Sequence, residues 1–408
     1  MARRHTDTIP KLDQLSYLFD TLGAIEDHLS FDAIRKELIR LRPESRGELK
    51  RLTSSTFWSN ARDAIRELMR LGFVDRASLP SRLSQLDSHR ARTFALTSEG
   101  KDFLALERTD PLQFRHRFAQ AMLVAHPYMR ELLNRLATRE LFFPRIQRSD
   151  LPGEIESWLE APPEPLGDIT AWITQSVNGV MQTDVNAKWL ESTMRPFLTA
   201  AWRRLDREQK SHLFNKAVVK SFNDVIVRVL LQAYGLRMDY VTFRSAISLL
   251  SELSALWDTR SLIERRGWTV WTTSVAEAPV VAEAKSPAGL ALRGPLWFKP
   301  RLRPETEIKE KLISTFLSFS GRRGGFALIH VLRAEVCHML GIHGRDFDAV
   351  LRKLHNQTLV DPTYAVNLDR GGADEVPPSE EPFRIGKRAF YLITLIKRHE
   401  EESIDGAS

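Results

Sequence analysis

Apolar residues recur every three or four positions through most of this chain, and the breaks in that period divide it into helices, short strands and turns. The pattern is sharpest from Leu332 to Pro362. Leu332, Val336 and Leu340 fall on one helical face, Gly341 and Gly344 bracket a turn, and Phe347, Val350, Leu351 and Leu354 form the apolar stripe of a second helix. Leu359 and Val360 are predicted to start a strand. The polar run NLDRGGADEVPPSEEP then reads as a loop, and FRIGKRAFYLITLIKR as one strand returning from it.

A related pattern lies near the start. Between Thr53 and Gly72, Trp58, Ala61, Ile65, Leu68 and Met69 share a face, and Gly72 supplies a natural helix C-cap. FVDR follows, and Thr93 to Leu96 reads as a strand running into a capped helix start. Two helices crossing at a glycine turn make a helix-turn-helix, and a strand, a polar loop and a returning strand complete a winged helix. The segment RLGFVDR with FALTSEGKDFL resembles the end of the winged-helix domain in MarR-like and PadR-like bacterial regulators, whose second wing strand runs into Leu-Thr-x-x-Gly. Here that motif is Leu96, Thr97 and Gly100. The resemblance covers roughly the first quarter of the chain and implies a fold with a DNA-facing helix.

Between the ends the pattern is helical with breaks. LQFRHRFAQAMLVAHPYMRELLNRLA reads as a long helix interrupted at Pro127, EAPPEP (Glu160 to Pro165) as a hinge, and helices are predicted over 187–205 and 210–234. A further helix is expected from Val241 to Arg266, ending at Gly267. The alternating WTVWTTSV follows, and GPLWFKPRL can close a hairpin with it, either as a third winged helix or as a cap on a helical domain.

The fold class that emerges is mainly α with small β-hairpin wings, an α+β chain of tandem winged helices joined by a helical middle. The expected boundaries are an N-terminal winged helix over 1–110, a connector with the hinge over 111–165, a central helical domain with its hairpin over 166–305, and a C-terminal winged helix over 306–408. A chain of 408 residues exceeds the usual span of one core, which agrees with several domains.

Composition narrows the function classes. No stretch approaches ~20 uninterrupted apolar residues, and the first residues lack the apolar region of a signal peptide, so a cytoplasmic protein without membrane association is expected. The single cysteine, Cys337, has no internal disulfide partner. The net charge of +7 suits a polyanion, although acidic residues are also plentiful.

Local charge says more. Ser55, Ser59, Arg62, Arg66 and Arg70 lie at helical spacing opposite the first stripe, where Arg reaches phosphates or guanine edges and hydroxyls reach the backbone. Arg82, Arg90 and Arg92 fall where a wing would reach an adjacent groove. On the C-terminal unit His343, Arg345, Asp346, Arg352, Lys353 and Asn356 are read as outward, and Arg345, Arg352 and Lys353 as its DNA contacts. The acidic wing DEVPPSEE opposes phosphate there, so that unit is read equally well as a protein-docking module. The basic loops SGRRGG (Ser320 to Gly325) and FKPRLRP (Phe298 to Pro304) read as backbone grips or as linkers.

Catalytic patterns are scarce. There is no Walker-type loop, no His-Glu-x-x-His, no paired-cysteine motif and no nucleophile elbow. VVAEAKS offers Glu283 and Lys285 as half of a PD-(D/E)xK nuclease pattern, but the nearest upstream candidate for its aspartate, Asp258, is expected on or at the end of a helix rather than on a strand. Cys337 and His338 are adjacent and point about 100° apart on a helix, which does not suit one ion shared with His343. No metal, cofactor or catalytic residue is therefore assigned.

The expected function is non-catalytic binding of double-stranded DNA, as a regulator or as the recognition subunit of a larger bacterial system such as a defence system, in a homodimer or multi-protein complex. A plasmid or phage replication initiator, and a scaffold whose winged helices bind protein in a DNA-associated complex, are the alternatives.

Overall fold

A computed structural model describes residues 15–25, 29–41, 54–76, 93–146, 173–175, 178, 188, 192–193, 196, 214–260, 267–277, 297–320, 325–371 and 382–398. The chain forms two compact units. The first comprises Met1–Thr138, Leu231–Leu256 and Val275–Pro300, and the second Arg139–Leu230, Trp257–Ser274 and Arg301–Ser408.

The first unit begins with α1 (Ser16–Ala24), β1 (Leu29–Ser30), α2 (Phe31–Leu41), α3 (Ser54–Arg70), β2 (Val74–Arg76) and β3 (Thr93–Leu96). β3 is the middle strand of a small antiparallel sheet, with β1 and β2 on its two sides. Ala61, Ile65 and Leu68 seat α3 in the core, as their spacing predicts. Gly72, at φ +80°, ends the helix, and the Phe73 N–H donates back to the Leu68 carbonyl. The Thr97 hydroxyl donates to the Gly72 carbonyl and accepts from the Gly100 N–H at 3.0 Å, which caps α4 (Ser98–Thr109). A Cβ on Gly100 would stand 2.1 Å from the Phe73 carbonyl oxygen, so only glycine lets the helix start this close to the turn.

Asp110 caps α5 (Pro111–Ala125), which delivers Phe114 and Phe118 into an aromatic cluster with Phe19, Phe73 and Phe103. Pro127 interrupts the apolar run as expected: its ring cannot continue the preceding helix, and it opens α6 (Pro127–Thr138) instead.

The middle of the chain departs from expectation in several places. β4 (Leu141–Pro144) is a strand that the sequence reading left unassigned. α7 (Phe214–Ala233) follows the predicted helix over 210–234, whereas most of the helix predicted over 187–205, and the hinge at 160–165, lie outside the described residues. The helix expected from Val241 to Arg266 is instead α8 (Tyr240–Glu252). It stops because Ser254 takes φ +59° and the Ala255 N–H turns back to the Leu250 carbonyl. β5 (Leu256–Asp258) then places Asp258 on a strand, which corrects its expected helical position. β6 (Gly267–Thr272) pairs antiparallel with β4, from Leu141 opposite Val270 to Pro144 opposite Gly267, and lies between β4 and β5 in their sheet. A Cβ on Gly267 would strike the Phe142 ring at 2.3 Å, and Trp268 stacks on Phe143 at 4.5 Å. β7 (Ser274–Glu277) and β8 (Trp297–Pro300) pair in a two-stranded sheet, so GPLWFKPRL closes only on the last residues of WTVWTTSV, whose larger part is β6 and belongs to the sheet with β4 and β5.

The remainder of the second unit comprises α9 (Glu305–Ser320), β9 (Ala327–Leu328), α10 (Ile329–Leu340), α11 (Gly344–His355), β10 (Tyr364–Asp369), β11 (Phe383–Ile385), β12 (Arg388–Phe390) and β13 (Leu392–Lys397). β13 is the middle strand between β10 and β9, all antiparallel. Leu332, Val336, Leu340, Phe347, Val350, Leu351 and Leu354 all enter the core. Two strand expectations need correction. Leu359 and Val360 lie in the loop after α11, and the strand begins at Tyr364, because the Asp361 carboxylate accepts from the N–H groups of Thr363 and Tyr364. The single strand read into FRIGKRAFYLITLIKR is a hairpin followed by a separate strand. Gly386, at φ +58°, is the first of two residues linking β11 to β12, the position at which a tight hairpin turn requires glycine.

The two ends therefore share an order of elements, a helix, a two-residue strand, two helices and two sheet strands of which the later lies in the middle, with the β11–β12 hairpin inserted between those last two strands in the second unit. The whole is a mixed α+β chain with small antiparallel sheets. Among the described residues no helix is long and apolar enough to cross a membrane.

Candidate nucleic-acid interface

α3 is held from within and charged without. Glu67 on its inner side is buried and hydrogen-bonds the Nε2 of His126, which is also sealed from water at the junction of α5 and α6. That pair fixes the rotation of α3 and leaves Arg66 and Arg70 exposed and Arg62 half-exposed. Asp63 sits among them, with its carboxylate 3.5 Å from Arg62 Nε and 3.7 Å from Arg66 Nη1. Ser55 and Ser59 lie on the same helix, but their side chains are outside the described residues, as are Arg82, Arg90 and Arg92.

On the second unit the turn between α10 and α11 is built by three groups. Gly341 adopts φ +63° with the Arg301 guanidinium packed where a Cβ would go, and the Arg303 Nε–H donates to the Leu340 carbonyl at 3.3 Å. Burial lowers the Arg301 pKa, and the Arg303 charge acts in the same direction. These cations of FKPRLRP thus close the end of α10. His343, expected to face outward, is instead buried, with its Nδ1 accepting from the Arg345 N–H at 3.2 Å while Asp346 accepts from the His343 N–H. Its ring packs T-shaped with that of Trp257, centroids 4.3 Å apart, and this packing against β5 keeps it inside.

Arg345, Arg352 and Lys353 all lie exposed on α11, and Arg352 and Lys353 make contacts within the unit. Arg352 donates to the Arg384 carbonyl at 3.4 Å and lies over the Phe383 ring, and Lys353 pairs with Glu305 of α9 at 2.5 Å. The structure adds a feature that the sequence reading missed. The β11–β12 hairpin exposes Arg384, Lys387 and Arg388, and it packs on α11 through His355 and Phe390. The signal for it was Gly386 followed by Lys387, a turn dipeptide inside what otherwise read as one strand.

Metal chemistry finds no support in these positions. Cys337 is fully buried, and burial drives its thiol well above the usual range, while Arg333 works weakly the other way and Asp348 and Asp346 reinforce the rise. His338 pairs with Glu140 at 2.5 Å. Among the described residues no three potential ligand side chains gather around one point. Asp258, although on a strand, gives its carboxylate to Arg260 at 2.8 Å, and Glu283 and Lys285 lie outside the described residues.

The chain matches no protein-family model and no curated protein sequence.

Proposed function

We propose that both ends of the chain are winged helices and that the protein is a non-catalytic binder of double-stranded DNA, with α3 as the principal reading helix. The observation that carries this reading is the row of Arg62, Arg66 and Arg70 on the outer side of a helix whose inner side is locked by Glu67 and His126. A helix with that split has the length and charge to lie in a major groove, with its arginines on phosphates and guanine edges. The hairpin with Arg384, Lys387 and Arg388 is the corresponding wing of the second unit, a short basic finger beside α11. In this reading the protein works as a regulator or as the recognition subunit of a larger assembly.

A second reading applies to the C-terminal unit alone. Lys353 is paired with the Glu305 carboxylate and the Arg352 guanidinium is turned to the Arg384 carbonyl, so the outer face of α11 offers less free cationic surface than its sequence suggests and suits a protein partner.

The test is a fluorescence-anisotropy titration of the full chain with a labelled random duplex, at low and then physiological salt. Submicromolar binding that weakens steeply with salt, and that falls in an Arg62→Ala/Arg66→Ala/Arg70→Ala variant, is the expected result. No duplex binding at low salt would transfer the weight to protein docking.

A further inference from the structure

The basic row on α3 has an acid along its edge. At about 100° per residue, Arg62, Asp63, Arg66 and Arg70 fall within an arc of about 100°, and Asp63 lies within ion-pair distance of two of the three arginines. Arg66 is the more open partner, with 63% of its side chain accessible, against 39% for Arg62 and 30% for Asp63. The neighbouring acid, Glu67, is turned into the core toward His126. Asp63 therefore stands on the same outward side as the cations it touches.

We infer that Asp63 determines the selectivity of the α3 face by suppressing contact with the DNA backbone alone, an inference that rests on α3 facing a duplex. A phosphate drawn to Arg66 or Arg62 is brought toward a carboxylate less than 4 Å from each guanidinium, so attraction and repulsion offset each other. A base edge carries no net charge. Either arginine can reach a guanine without that repulsion, and the carboxylate itself can accept from a cytosine amino group. Asp63 thus penalises the sequence-independent part of binding more than the part that reads bases, and selectivity is the difference between the two.

The experiment compares the full chain with Asp63→Asn, with Asp63→Ser, and with Asp102→Asn, which removes the same charge from an exposed position on α4. Anisotropy is read across a salt series with a random duplex and with a duplex enriched from a random library by the wild-type chain. Both Asp63 variants are expected to bind the random duplex about three- to tenfold more tightly at low salt. Their preference for the enriched duplex should fall by a similar factor, while Asp102→Asn stays within about twofold of wild type. Unchanged random-duplex affinity in the Asp63 variants, an equal effect from Asp102→Asn, or an enriched pool bound no better than the input overturns the inference alone. A wild type that binds no duplex, or that is indifferent to loss of Arg62, Arg66 and Arg70, overturns the reading of α3 and the inference together.

Discussion

Glu67 of α3 and His126, the residue between α5 and α6, hydrogen-bond each other out of reach of water. Neither end of that bond has bulk solvent to fall back on. Removing one partner leaves a buried polar group exposed to an apolar interior, a loss much larger than that of a surface pair. Glu67→Ala is therefore expected to destabilise the first unit by about 3 kcal/mol, and Glu67→Gln, which keeps an acceptor, by less. Thermal melts followed by circular dichroism check this. Equal melting of Glu67→Ala and wild type would show that the pair does not anchor α3.

Gly341 permits a prediction on the second unit. Its φ of +63° strains any L side chain, and a Cβ there would meet the Arg301 guanidinium at 2.1 Å. Gly341→Ala should cost about 1–3 kcal/mol. Pairing it with Arg301→Ala should recover only the steric part, because the backbone strain remains. A double-mutant cycle in denaturant separates the two.

Asp361 gives a dependence on pH. Burial by itself would raise its pKa, but the N–H groups of Thr363 and Tyr364 and the Lys309 ammonium outweigh it, so the folded value lies below the usual aspartate range. A depressed folded pKa contributes stability above the unfolded pKa that is lost as pH falls through the folded one. The second unit should therefore melt progressively lower on acidification below the usual aspartate range, and Asp361→Asn should flatten that part of the profile. A variant profile parallel to wild type would exclude this turn as the source.

The β11–β12 hairpin supplies a test of binding. Arg384→Ala/Lys387→Ala/Arg388→Ala removes three exposed cations without touching Phe383 or Phe390, so the melting curve should hold. If the hairpin meets a duplex, the salt dependence of binding should weaken by up to about three units of log–log slope. An unchanged slope would mean that this hairpin stays clear of the DNA.

What was legible in the sequence was what has a period or a fixed residue. The stripes Ala61, Ile65, Leu68 and Val336, Leu340, Phe347, Leu351 repeat over enough turns to declare helices, and Pro127 and Gly72 mark their ends by covalent geometry. β1 and β9 were invisible because two residues have no period, and their pairing with β3 and β13 is decided across more than 60 residues of chain. β4 reads as Leu-Phe-Phe-Pro, without alternation, since Leu141, Phe143 and Pro144 are all buried. The end of α8 depended on Ser254 accepting a left-handed backbone, which its identity does not announce. At the candidate site the arginine row followed from spacing alone. The engagement of Arg352 and Lys353, and the inward turn of His343, are tertiary facts that helix periodicity does not contain.

The interleaving of the two units has a temporal consequence. The first unit takes Leu231–Leu256 and Val275–Pro300 from beyond a long stretch that belongs to the other, so it cannot be completed as its first helices leave the ribosome. At ordinary elongation rates the wait between Thr138 and Pro300 is roughly 8–30 s, long compared with helix formation. The α1–α6 segment waits through that interval without the parts of its unit that follow Leu231, which adds nascent-chain aggregation to final stability as a stage sensitive to mutations there.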